Sequence, residues 1–143
     1  MSSLVSNRKF AILAPVPESY MGTALSQIYP THKKVSFGSN VVGEINTARN
    51  QFLTAKRYQG NVPVYFYVGG HIKLKATLLD EFLFYDEITP HPEPWGLWNI
   101  AFKSYYTVTD IEECDVPLSK FRSLKTGKVV EGVRKPLRVI DPE

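Results

Sequence analysis

Apolar positions along the chain change their spacing twice, and each change marks a different kind of element. Residues 10–16, FAILAPV, are a short, nearly unbroken apolar run closed by Pro15 and Pro17, which predicts a buried strand. Met21 to Tyr29 offers two helical turns before Pro30. From Val41 the apolar residues Val41, Ile45, Ala48, Phe52 and Ala55 recur at spacings of 4, 3, 4 and 3, one face of a helix that should end near Tyr58, before Gly60. Between these two helices lies HKKVSFGSN (32–40), which reads as a small-polar turn exposing Phe37, with Ser39 or Asn40 as the N-cap of the second helix.

After Gly60 the period falls from 3.6 to 2. VPVYFYV (62–68) is a continuous β-rich run, and IKLKATLL (72–79) alternates Ile72, Leu74, Ala76 and Leu78 inward with Lys73, Lys75 and Thr77 outward. These pair most simply as a hairpin across Gly69-Gly70-His71. EFLFYDEI (81–88) continues or follows that sheet, and residues 89–94 make a stiff proline-rich loop before WGLWNIAFKSYYTVTDI (95–111), one long strand or two. Leu118 to Leu124 suits a short helix, and residues 136–140 a closing strand. So many short sequential strands predict a small mixed α+β domain whose strands curl into a barrel, because an open sheet would leave exposed edges.

The 143 residues suffice for one domain, 1–143, with 43% hydrophobic and 22% charged residues. No apolar run approaches the roughly 18 residues that would span a bilayer, so no membrane association is expected. The apolar patch after Arg8 and Lys9 is too short for a signal-peptide core, and the one cysteine, Cys114, has no partner for an internal disulfide. Both point to a cytoplasmic location. The net charge of +3 hides a polarised chain: nine bases and two acids over 1–79, one base and nine acids over 80–115, seven bases and three acids over 116–143. Fields separated in this way steer a polyanion toward the basic parts, unless folding mixes the charges again.

Several chemistries have no support. His32, His71 and His91 are isolated and no metal-ligand spacing occurs, so neither a metal nor a cofactor is expected. Phosphate-cradling glycine loops and the hydrolase nucleophile elbow are absent too. What remains is an aromatic β region beside basic segments: Tyr65 and Tyr67 alternate with Phe66, Trp95 and Trp98 flank a glycine and a leucine, and Tyr105-Tyr106 follow Lys103. Aromatic faces stack on nucleobases while Lys and Arg take the phosphates, so Lys33, Lys34, Arg49, Lys103 and Arg134 are candidate phosphate ligands.

The order of ILAPVP strand, KKVSFGSN turn into an amphipathic helix, NVPVYFYVGG strand, IKLKATLLDE strand and WNIAFKS strand resembles the PUA-like superfamily, especially its EVE and ASCH branches. Gly60-Asn61-Val62-Pro63-Val64-Tyr65 occupies the step where those families carry a Gly-Asp pair, with Asn61 in place of the acid. The resemblance, over about residues 10–140, implies a small barrel of five or six mostly antiparallel strands with two or three flanking helices. It also implies RNA or DNA binding, often with a modified or flipped base held between barrel and helices. Ser36, Phe37, Gly38, Ser39 and Asn40 would then form one wall of the pocket, with Tyr65 or Tyr67 and Trp95 or Trp98 opposite.

The ASCH branch includes small amidohydrolases acting on modified nucleosides with a Lys, a hydroxyl residue and a Glu. Lys33, Ser36 and Glu81 are the matching candidates here, although Phe37-Gly38 stands where that branch continues Glu-x-Arg. A third reading is a protein-interaction domain that docks through exposed aromatics such as Trp95 or Tyr105. The sequence leaves the oligomeric state open.

Overall fold

A computed structural model of the chain describes residues 9–97 and 100–143. Strand β1 (Phe10–Pro15) is the apolar run expected at 10–16, and it lies inside the sheet rather than at an edge. Its residues alternate between two cores, Ile12 and Ala14 toward one and Ala11 and Leu13 toward the other, which is why the run has no polar face. Helix α1 (Glu18–Thr23) passes through a π-helical turn (Ala24–Ile28) into the short helix α2 (Tyr29–His32). Pro30 therefore does not stop the helical segment. The wider turn places it at the start of α2, where its missing N–H has no carbonyl to meet.

Residues 36–40 are not a turn. Val35–Ser39 form strand β2, and the expectation failed because only Val35 and Phe37 carry the apolar half of a five-residue alternation. Helix α3 (Val42–Gln59) follows with Ile45, Ala48, Phe52 and Ala55 buried, as their spacing predicts. Neither Ser39 nor Asn40 is its N-cap: Val41 takes that place in extended conformation with no side-chain cap. Ser39 Oγ instead accepts from the Val41 N–H (3.0 Å), and Asn40 Oδ1 from the Lys103 N–H (3.0 Å).

Strands β3 (Pro63–Val68) and β4 (His71–Pro90) form the expected hairpin. Gly69 and Gly70 both have positive φ (59° and 82°), the conformation a two-residue hairpin turn demands. Strand β4 runs on through 81–90 as one 20-residue strand, and β5 (Ala101–Glu113) pairs with it on one side and with β2 on the other. The β4–β5 register shifts at three places, between Lys75 and Thr77, Leu78 and Phe82, and Phe84 and Thr89, which bends the ribbon. The expected helix at 118–124 shrinks to a single 3₁₀ turn, Leu118–Lys120, before β6 (Arg122–Ser123); β7 (Leu137–Ile140) closes the chain against β1.

The result is an α+β fold with one seven-stranded mixed sheet in the order β2-β5-β4-β3-β1-β7-β6, all pairs antiparallel except β1 with β3. This is more strands than the five or six expected, and among the described residues no ladder joins β2 to β6 to close a barrel. The free edge of β2 is covered in another way: the Ser36 N–H donates to the Trp95 carbonyl (2.9 Å), and Ser36 bridges to Gly96 in parallel.

Tyr65 belongs to the second core, edge-on to Phe121 at 5.1 Å between ring centres, and its hydroxyl is bonded to Asp141 (3.1 Å) and Glu143 (3.0 Å). Burial, reinforced by the Asp141 charge, raises the phenol well above its ordinary range. Glu143 also meets Lys75 (2.6 Å), a bond that lowers the Glu143 carboxyl and raises the Lys75 amine. Tyr65→Phe should therefore cost about 1–2 kcal/mol of unfolding free energy, read from denaturant midpoints, because a buried hydroxyl loses charge-assisted partners. An unchanged midpoint would show that this junction contributes nothing.

Candidate functional site

A cavity of about 360 Å³ opens where the end of β1, helix α1, strand β2 and the segment leading into β5 meet. Its walls are Pro15, Val16 and Pro17 after β1, Tyr20 on α1, Phe37, Gly38 and Ser39 on β2, and Leu97, Ile100 and Phe102. Asn40 and Val41 close one side, at the uncapped start of α3, and Arg134, Lys135 and Pro136 close the other. Most of the lining is apolar, and the two cations stand together.

Each wall has a local cause. Phe37 is only 2% exposed; its ring packs on Phe66 (5.1 Å) and Tyr106 (6.0 Å), so it is core and cavity floor at once. Phe102 packs directly on Gly38, where an added Cβ would run into its ring. The Ser39 carbonyl accepts from Ser104 Oγ (2.6 Å), fixing β2 to β5 at the cavity rim. Helix α3 begins beside Asn40 without a side-chain cap, and its first turn carries Glu44.

The comparisons with known proteins bear on this arrangement. No family model matches the chain, and no curated protein does. Among solved structures, the Toxoplasma CPSF4-YTH domain in apo form is similar with a TM-score of 0.51 at 13% identity, over 95% of this chain and 82% of that one. The YTH domain of Zygosaccharomyces rouxii MRB1, solved in complex with N6-methyladenosine RNA, gives a TM-score of 0.49 at 14% identity, over 90% and 78%. The fold is similar to a YTH domain. YTH domains share a PUA- and EVE-like fold, so the resemblance read from element order agrees with the structure at that level.

The sequence candidates scatter over several places on this YTH-like fold. Phe37, Gly38, Ser39, Asn40 and Arg134 line the cavity. Ser36, their neighbour, is fully buried and does not line it, with its hydroxyl bonded to Thr107 Oγ1. Tyr65 and Tyr67 pack with the second core and form no wall. Trp98 lies outside the described residues. Trp95 lines a second depression, about 280 Å³, with Glu81, His91 and Thr107. Tyr105, a candidate docking residue, is buried among Phe102, Tyr85 and His91.

Among the candidate cations, Lys103 adjoins the cavity through its backbone bond to Asn40. Arg49 is held by Asn46 (2.8 Å) and stacks on Phe84 (4.7 Å). Lys33 is the left-handed residue ending α2, and its carbonyl accepts from Thr109 (2.8 Å). Lys34 is paired with Glu81 (3.0 Å) and lies 4.0 Å over the Trp95 ring. Of the amidohydrolase candidates, Glu81 is engaged by Lys34 and Ser36 by Thr107, which lines the same depression as Glu81, while Lys33 ends α2.

Tyr20, Leu97, Ile100, Phe102 and Lys135 were not legible as site residues, since their chain positions are far from 37–40 and no short-range pattern joins them. The close packing of Phe102 on Gly38 gives a direct check. Gly38→Ala should lower stability by about 1–3 kcal/mol, because the ring must give way in a packed wall. Adding Phe102→Ala should recover part of that loss in a double-mutant cycle; strictly additive losses would contradict the contact.

Proposed function

We propose that this chain is an RNA-binding module that takes one base of a single strand into the cavity between α1, β2 and the residues Leu97, Ile100 and Phe102. The observation that carries this reading is the composition of that cavity, in which the rings of Tyr20, Phe37 and Phe102 share one space with the paired cations Arg134 and Lys135. A cavity near 360 Å³ lies at the small end of ligand pockets, suited to one base rather than a larger cofactor. Ring faces contribute about 1–3 kcal/mol per stacked base. Arg134 and Lys135 meet the phosphates flanking that base, and the uncapped α3 start and the Asn40 side chain supply polar contacts to its edge. The similarity to a YTH domain supports the reading at the level of fold.

The apolar lining also favours a base carrying an added methyl group. Burying one methyl against Pro15, Val16, Pro17 or Leu97 is worth about 0.8 kcal/mol, roughly fourfold in affinity. The nucleoside-amidohydrolase reading lacks a comparable observation, because two of its three candidate side chains are engaged elsewhere, Glu81 by Lys34 and Ser36 by Thr107.

Fluorescence anisotropy with a short single-stranded RNA bearing adenosine or N6-methyladenosine at its centre tests the proposal. The methylated strand should bind about fourfold tighter or more. Arg134→Ala combined with Lys135→Ala should weaken binding to both strands and flatten the salt slope by roughly 1.4, the value for two lost phosphate contacts. Phe102→Ala should cost about 1–3 kcal/mol of affinity in a protein that still folds. Undiminished binding in both variants would contradict the assignment, and equal affinity for the deoxy strand would extend it to DNA.

A further inference from the structure

The walls of the cavity on the side of Leu97 and Phe102 converge on one half-buried imidazole, His91. Two chains of contact meet there. In the first, His91 Nδ1 accepts from the Glu93 N–H (3.0 Å), the Glu93 carbonyl accepts from the Gly96 N–H (3.1 Å), and Trp95 and Gly96 are laid along β2 through Ser36. Leu97, the next residue, is both core and cavity wall. Gly96 has no room for a side chain, since a Cβ there would come 2.4 Å from the His91 Cβ and Cγ atoms, so the imidazole is wedged directly under the segment it braces.

In the second chain the His91 ring stands edge-on to Tyr105 (4.9 Å, 86°). The Tyr105 hydroxyl accepts from the Phe102 N–H (3.0 Å) and donates to the Thr89 carbonyl, and its ring is edge-on to Phe102 (6.1 Å). Phe102 is the wall lying on Gly38. The Leu97 wall is thus tied to His91 by a hydrogen-bonded chain, and the Phe102 wall touches it through the ring of Tyr105.

We propose that His91 is a positioning residue for the base pocket and makes it sensitive to pH: neutral, it anchors the 91–97 segment, and protonated, it releases the Leu97 and Phe102 walls. This rests on the base-binding reading above. The chemistry is a change of role at one atom. Neutral Nδ1 is an acceptor for the Glu93 amide, whereas in the imidazolium it carries a proton and two donors face each other.

The charged groups around the ring are Glu93 on its own segment and Asp80 and Glu81 on β4, with Lys34 paired to Glu81 and the Tyr105 phenol on β5. Burial holds the imidazole below its ordinary range, and it prevails over the opposing pull of the Glu93 backbone and of the Glu93 and Glu81 charges. A histidine held low in the folded state contributes its anchoring fully above the ordinary value near 6.5, and loses it as pH falls below that value through the folded one.

The test uses NMR of the ligand-free chain together with RNA affinity. In the wild type, the Gly96 and Phe102 amides and the Leu97 methyls should shift along the same titration curve as the His91 imidazole. Affinity for the N6-methyladenosine strand should fall about fivefold or more between pH 7.5 and 5.5. His91→Asn supplies a side-chain oxygen that accepts the amide two residues on without titrating, but it loses the ring contact with Tyr105, so at pH 7.5 it should bind more weakly than wild type and more tightly than His91→Ala, and it should keep that affinity unchanged at pH 5.5. His91→Ala should bind weakly at both. Wall signals that ignore the imidazole, or His91→Asn losing affinity with pH as the wild type does, would overturn the proposal. Wall signals that follow the imidazole in a protein with no RNA affinity at any pH would support the positioning role and contradict the base-binding reading instead.

Discussion

Strand β2 is held on both edges, and the candidate site depends on that constraint. On one side β5 pairs with it from Val35 against Val108 to Ser39 against Ser104. On the other, Trp95 and Gly96 bond to Ser36. Five residues paired in this way have no freedom to act as a loop. Phe37 is driven into the core, Gly38 becomes the platform for Phe102, and Ser39 delivers the chain to the rim where α3 begins. An edge strand covered by an irregular segment also answers the aggregation hazard that seven strands in open order would otherwise present.

The charge polarity of the sequence is partly undone by folding. Lys34, Lys73 and Lys75 come from the basic first part of the chain, and they pair with Glu81, Asp115 and Glu112 of the acidic middle. Most of these pairs are exposed and contribute little to stability. They do remove cations from the pool available to a polyanion. Arg134 and Lys135 matter more because they line an apolar cavity and have no ion pair among the described residues.

What the sequence disclosed follows from how local each signal was. Helix α3 and the β3–β4 hairpin were legible because four buried residues at helical spacing and a Gly-Gly step each fix a conformation without outside help. Strand β2 was not, since its burial is imposed by β5 and Trp95–Gly96, about 60 to 70 residues away. The same holds for the site. Residues 37–40 stood out by their own chemistry, yet Tyr20, Leu97 and Phe102 join them only through the fold. Tyr65 misled for the opposite reason: alternation along β3 puts it in the second core, away from the cavity floor, and a single strand cannot say which of its faces carries ligand.

The central claim is that one base enters the cavity walled by α1, β2 and the residues Leu97, Ile100 and Phe102. Titrating the chain with a short N6-methyladenosine RNA while following backbone amide and side-chain methyl NMR signals tests it most directly. The account predicts that the largest shifts cluster at Tyr20, Gly38, Ser39, Asn40, Leu97 and Phe102, with Arg134 and Lys135 following at the rim. Shifts concentrated instead around Tyr67 and the second core, or around Trp95 and Glu81 with the cavity residues unmoved, would contradict it.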